Sequence, residues 1–161
     1  MKREVLLLLV SVLVSIAVGS VPENAANQAQ AIPTTDYQDS AWKADMQRLS
    51  SLLANDFESI SAVSRSGDLT PLTVFGRYLI YDTQRGIYEN DHYKVSPNFQ
   101  VAQKEWRLAL QDYNLAGKLM VEAGNDAQNN TYATACVKLY TAYLNSGNKH
   151  VYRSYALMNT T

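Results

Sequence analysis

The stretch PNFQVAQKEWRLALQDYNLAGKLMVEAG, residues 97–124, predicts one long amphipathic helix. Ser96 offers an N-cap oxygen, and Pro97 suits the first helical position, where an N–H would have no helical partner. Gly124 and Asn125 are typical of a helix end. Apolar and polar side chains recur at steps of four and three, so one face should be buried and the other wet. The buried face comprises Ala102, Trp106, Ala109, Tyr113, Ala116, Met120 and Ala123.

A first helix is predicted over residues 36–65. Its apolar stripe runs from Trp42 to Val63, again at steps of four and three. A Ser-Gly-Asp sequence at residues 66–68 is typical of a helix end. The pattern therefore indicates a long helix directly ahead of the next helical segment.

A second helix is predicted over residues 70–90, with Thr70 as its N-cap and Pro71 at its first position. It is apolar on two sides, which is typical of a helix that contacts two neighbours, or contacts one and lines a cleft. One stripe begins at Leu72. The other stripe contains Val74, Tyr78, Tyr81, Arg85 and Tyr88.

The last helix is predicted over residues 131–157. Asn145-Ser146-Gly147 resembles a helix stop, but the apolar stripe stays in phase across Gly147, so we expect the helix to continue. Connections of about three to six residues favour antiparallel neighbours. The sequence therefore predicts an all-α fold, an up-down-up-down four-helix bundle over residues 36–161.

Residues 1–20 have the pattern of an export signal. Lys2 and Arg3 make a basic start, an almost continuous apolar run follows, and small residues end it. We expect cleavage just after Ser20, with Ala31 as a later alternative. The competing interpretation is an uncleaved anchor that attaches the protein to a membrane through residues 5–21.

Residues 21–35 are rich in Asn, Gln and Ala and have no apolar period, which is typical of a flexible linker. Together with the signal, this segment predicts a secreted or extracytoplasmic protein. The motif Asn-x-Thr occurs at Asn129 and again at Asn159, and both are candidates for N-glycosylation in an exported chain.

Composition excludes some classes of protein. The net charge of −1 predicts no general attraction to nucleic acid. The single cysteine, Cys136, permits no intramolecular disulfide, so the core must supply the stability. We expect Cys136 to be a small buried hydrophobic residue. The chain contains 11 Tyr against 3 Phe, and tyrosine suits half-buried positions and cleft walls.

Three carboxylates are candidate ligand-binding residues. Glu105 and Asp112 fall within the apolar arc of residues 97–124, and Asp56 lies within the stripe of the first helix. A buried carboxylate needs partners to remain charged. One interpretation is interhelical pairing with Arg77, Arg85, Lys138 or a tyrosine hydroxyl, or placement at the edge of the stripe. The other is a polar pocket for a cation or an amine.

Aromatic residues form a second candidate set. Trp106 and Tyr113 could line an apolar groove between helices together with Tyr78 and Tyr81 of the second helix and Tyr140 and Tyr143 of the fourth. The alternative is that these rings are ordinary core, because aromatic stripes at helical spacing usually are.

No motif predicts catalysis, a resident metal or a cofactor. Glu89 and His92 make one Glu-x-x-His step, whereas a bundle di-metal site needs two such steps and two further Glu. We therefore expect a non-enzymatic exported module that binds an unidentified protein partner, such as a helix, or a small ligand. The alternatives are a self-associating envelope structural protein, and an enzyme or metal protein that uses Asp56, Glu105, Asp112 and His92.

Overall fold

The computed structural model describes residues 36–127 and 130–160. These residues form four helices and no strand: α1 spans Asp39–Ser66, α2 Leu72–His92, α3 Gln100–Asn125 and α4 Asn130–Asn159. The all-α prediction is confirmed, and the arrangement is consistent with a helical bundle. The prediction that the last helix continues through Gly147 is also confirmed.

The predicted signal at 1–20, the linker at 21–35 and the acceptor Asn129 lie outside the described residues. Asn159, the other acceptor, is the exposed last residue of α4. Among the helices that the structure does describe, none combines the length and apolarity needed to cross a membrane.

The N-terminal ends of α2 and α3 differ from the prediction. Neither helix begins with a side-chain cap, and the predicted cap residues Thr70 and Ser96 lie in the turns that precede the helices. The backbone supplies the first bonds instead, for example from the Phe99 N–H to the Ser96 carbonyl at 2.9 Å. A single tight turn therefore leads into each helix.

The C-terminal end of α1 follows the prediction. Gly67 has φ of 75°, the left-handed conformation that glycine adopts without strain from a Cβ atom. Asp68 then accepts a hydrogen bond from the Thr70 N–H at 3.0 Å, so the chain turns within a few residues to start α2.

Successive helices run antiparallel. Contacts between their ends establish this direction, because the start of each of the first three helices meets the end of the next helix. The contacts are Gln38 N to Lys94 O at 2.9 Å, Thr73 Oγ1 to Asn125 Oδ1 at 3.3 Å and Ser154 Oγ to Ala102 O at 2.8 Å.

Small residues let α3 approach its neighbours closely. A Cβ atom on Gly76 of α2 would lie 2.6 Å from the Gly117 carbonyl oxygen of α3, and a Cβ on Gly147 of α4 would lie 2.5 Å from the Tyr113 ring. The four alanines of the predicted buried face, Ala102, Ala109, Ala116 and Ala123, are fully buried. Hence α3 packs against both α2 and α4.

Large side chains attach α1 to the rest. Trp42, Met46, Leu49 and Leu53 are all buried, and the Trp42 indole N–H donates to Asn90 Oδ1 of α2 at 3.0 Å. Because these side chains are long, the α1 backbone stands farther from the other helices than α2 does from α3.

Candidate functional site

The outer face of α2 carries the most extensive exposed aromatic surface along a single helix of the described chain. Tyr78, Tyr81 and Tyr88 are 54%, 65% and 65% exposed, and Val74 at the start of the same stripe is also half exposed. Arg85 and His92 complete the stripe, and both are exposed. We call these six residues the α2 stripe. It follows helical spacing from one end of α2 to the other, but no helix of the described chain covers it.

Ion pairs hold the flank of the α2 stripe that faces α1. Arg85 Nε donates to Glu89 Oε1 at 2.7 Å, and Arg48 of α1 donates to Glu89 Oε2 at 2.8 Å. Arg48 also binds Asp45 at 2.6 Å. The Arg85 guanidinium is therefore held along the helix while about half of the side chain remains exposed.

Aromatic contacts also order the stripe. The Tyr78 ring meets Phe75 edge-on at 6.4 Å, and the Tyr88 ring lies 4.0 Å from the His92 ring. His92 Nδ1 lies 2.6 Å from the Tyr88 carbonyl oxygen, so this nitrogen is bonded within its own helix. The rings of the stripe thus have neighbours beneath or beside them but nothing over their outer faces.

Trp106 and Tyr113 belong to the core. The Tyr113 ring packs edge-on against Phe57 at 5.0 Å, and its hydroxyl donates to Asn148 Oδ1 at 2.6 Å. Burial raises the pKa of this hydroxyl. Both side chains are enclosed, in contrast to Tyr78 and Tyr81, so these four candidates do not line one groove.

Glu105 and Asp112 of α3 face the same histidine on α4. His150 Nδ1 lies 2.6 Å from Glu105 Oε2, and His150 Nε2 lies 3.9 Å from Asp112 Oδ2. A carboxylate only accepts, so Nδ1 carries the proton that it donates. The half-buried imidazole therefore bonds Glu105 across the α3–α4 interface and lies near Asp112 without a hydrogen bond to it. Sequence reasoning had paired neither carboxylate with this histidine.

A positional signal for the contact between Glu105 and His150 was present in the sequence. When two helices form an antiparallel hairpin, residues equally distant from the turn face each other. Glu105 and His150 are nearly equidistant from the turn that follows Asn125. Register about the turn, rather than charge alone, would have identified the partner.

Asp56 lies at the α1–α2 interface, away from that contact. Burial raises its pKa to about 6, and the nearby Asp82 carboxylate adds to the increase. Its Oδ2 atom is buried and has no hydrogen-bond partner among the described residues. Because Asp56 and Asp82 are both carboxyl groups, they repel each other when both are ionised and cannot form an ion pair.

Neither Cys136 nor a group of metal-ligating side chains forms a candidate site in the described residues. Cys136 is buried, and this burial raises the pKa of its thiol, in agreement with the expectation of a buried hydrophobic residue. Across residues 36–127 and 130–160 no group of three or more His, Cys, Asp or Glu is arranged to hold a metal ion.

An open polar pocket of about 260 Å³ lies between the end of α2 and the start of α3. Gln103 Nε2 donates to the carbonyl oxygens of Asn90 and Tyr93, and Arg107 Nε donates to the Asp91 carboxylate. These internal bonds use several of the polar groups of its wall. The pocket therefore has fewer features of a docking surface than the α2 stripe.

A functional conclusion for this chain rests on its fold and on the α2 stripe, because comparisons with known proteins give no relative. No protein-family model, curated protein or solved structure gives a significant match to the chain.

Proposed function

We propose that this chain is an exported, non-enzymatic interaction module, an up-down-up-down four-helix bundle that binds a helical protein partner through the outer face of α2. One observation carries the proposal: three tyrosines and a valine of one helical face remain exposed along the length of α2. Exposed aromatic rings in a contiguous row are typical of protein interfaces.

The charges beside the stripe also support a protein partner. Arg77 and Arg85 are exposed among the tyrosines, and arginine and tyrosine are enriched at the residues that dominate binding energy. A small ligand between helices has less support, because Trp106 and Tyr113 are packed into the core.

Export is proposed from the sequence pattern of residues 1–20, with cleavage after Ser20. Intact-mass measurement of the protein isolated from its own cells tests this step. A mass that lacks residues 1–20 agrees with a cleaved signal. A full-length mass in the membrane fraction supports instead the anchor formed by residues 5–21, and a full-length mass in the cell interior contradicts export.

Photo-cross-linking in the source cells tests the interaction. A photoreactive phenylalanine derivative placed at Tyr81 should give one or a few adducts of discrete mass. The same residue at Tyr152, an exposed tyrosine of α4 that is 51% accessible, is the matched control and should not give them. Equal adducts at both positions, or none at Tyr81, would contradict the proposal.

A further inference from the structure

The order of residues in the α2 stripe is symmetrical about Thr83. Each member has a counterpart at the same distance along the helix on the other side. The pairs are Tyr81 with Arg85, Tyr78 with Tyr88, and Val74 with His92. In an antiparallel pair of helices related by a two-fold axis, residues equally distant from the axis lie opposite one another. A second copy packed in this way would place Tyr81 opposite Arg85 and Tyr78 opposite Tyr88, which are favourable pairs.

We propose that the chain forms a two-fold symmetric dimer in which the α2 stripes of two copies pack antiparallel, with the axis near Thr83. This inference rests on the proposed function, since it specifies the partner of the same surface. The partner is another copy of this chain. Each copy presents a row of tyrosines and contributes one Arg85, so one arginine lies on each side of the axis.

The central contact joins Arg85 to the partner's Tyr81, twice by symmetry. A guanidinium stacks favourably on an aromatic ring. The Arg85 guanidinium is already restricted by its 2.7 Å bond from Nε to Glu89, so the Arg85 side chain loses less conformational freedom on association. Tyr78 then meets the partner's Tyr88 on each side of this centre, where offset or edge-on ring contacts are available.

Charges on the flank that faces α3 match in nearly the same register. Arg77 and Asp91 are equidistant from Gln84, one residue beyond Thr83. A two-fold axis between Thr83 and Gln84 therefore places Arg77 opposite the partner's Asp91 at both ends of the interface, to within about one residue of helix rise. Arg77 is exposed, and no ion pair forms with it within the described chain. Asp91 is 41% exposed. Its carboxylate already accepts from Arg107 and from Asn90 Nδ2, and it has further lone pairs for a second basic group. The two attractive pairs select the antiparallel register.

On the flank of α2 that faces α1, the charged groups contact other residues of their own copy. Glu89 binds both Arg48 and Arg85, and Asp82 lies beside Asp56. These groups are turned toward their own subunit. The cross-subunit charges are therefore expected on the α3 side, where Arg77, Gln84 and Asp91 follow one another at steps of seven.

The size of the face suits a dimer. Val74 to His92 spans about 27 Å of helix. The exposed parts of the three tyrosines amount to roughly 350 Å², since a whole tyrosine buries 150–250 Å². Val74, Arg77, Arg85 and His92 extend this area toward the ~800 Å² per partner of a standard interface.

Charge reversal followed by mixing is the sharpest test. Arg77→Glu and Asp91→Lys should each weaken dimerisation about tenfold, because two attractive pairs become repulsive. An equimolar mixture of the two variants restores attraction at both ends and should dimerise like the wild type. Sedimentation equilibrium of the full chain in density-matched nonionic detergent measures all four samples.

The outcomes separate the dimer from other partners. A wild-type monomer at high concentration, or a mixture no tighter than the single variants, would overturn the dimer. If the adduct at Tyr81 in cells then contains a different protein, the proposed interaction stands and only its self-association fails. If Tyr81 gives no adduct, both fail.

Disulfide trapping gives an independent readout near the axis. In the background Cys136→Ser, Gln84→Cys should form an intermolecular disulfide, because an axis between Thr83 and Gln84 brings Gln84 close to its own copy. Lys149→Cys, an exposed position on α4, is the control and should remain reduced. Equal rates of disulfide formation at the two positions would count against the antiparallel register.

Discussion

Tyrosines on α2 and α3 occupy opposite environments although both sets follow helical spacing. Tyr113 of α3 is fully buried between Phe57 and Gly147, whereas Tyr81 of α2 is largely exposed. The residue type and the period are the same. What differs is the neighbour: α3 has helices on two sides, and the outer face of α2 has none in the described chain. Spacing identifies which residues share a face, but a second surface decides whether that face is core.

The largest effect is expected from truncating the buried ring. Tyr113→Ala removes the contacts with Phe57 and the bond to Asn148, and should lower the free energy of unfolding by about 3–5 kcal/mol. Tyr81→Ala, on the exposed face, should change it by less than about 0.5 kcal/mol under monomeric conditions. Urea unfolding of both variants checks the difference. Similar losses for the two would mean that the outer face of α2 is also packed.

A smaller effect should separate the two faces of α2. Gly76→Ala places a methyl group 2.6 Å from the Gly117 carbonyl oxygen, so the helices must move apart. We expect a net loss of about 1–3 kcal/mol, even though alanine improves helix propensity by about 1 kcal/mol.

Gln84→Ala on the outer face of α2 is the control for this helix. It has the same helical backbone without the interhelical contact and should be nearly neutral in thermal unfolding of the monomer. A stabilised Gly76→Ala variant would show that the approach of α2 to α3 is looser than the contact distance indicates.

The smallest effect is expected from Asp56 of α1, which lies beside Asp82 on the flank of α2 between its buried and exposed faces. The folded-state pKa of Asp56, about 6, is higher than its usual value of 3.8. The protonated form therefore favours folding, fully so below about pH 3.8, and this contribution is lost as the pH rises to 6. Asp56→Asn should raise stability at pH 7–8 by about 1 kcal/mol, after allowance for solvent screening.

The pH profile checks the sign of this effect. The wild type should gain stability relative to Asp56→Asn as the pH falls from 7 to 4. Asp82→Asn should remove part of the dependence, because burial of Asp56 remains when the neighbouring charge is gone. Parallel profiles for the wild type and Asp56→Asn would contradict the raised pKa.

The polar contacts between helices could be predicted from the sequence only in part. Periodicity correctly indicated that Glu105 and Asp112 lie toward the buried side of α3, and that a partner must come from another helix. It did not identify His150, because a helical pattern gives the direction of a side chain without its neighbour's register. The N-caps at Thr70 and Ser96 were mispredicted for a related reason, since backbone turn geometry decided where α2 and α3 begin.

The sequence by itself determined four helices, their approximate bounds and the identity of most core positions, because apolar spacing at 3.6 residues per turn is a local property. Only the tertiary structure decided which apolar faces have a covering helix. The glycines at 76 and 117 and the alanines of α3 set how closely helices approach, and that approach encloses Tyr113 but leaves the α2 stripe exposed. Burial is a property of two surfaces, so one face alone cannot specify it.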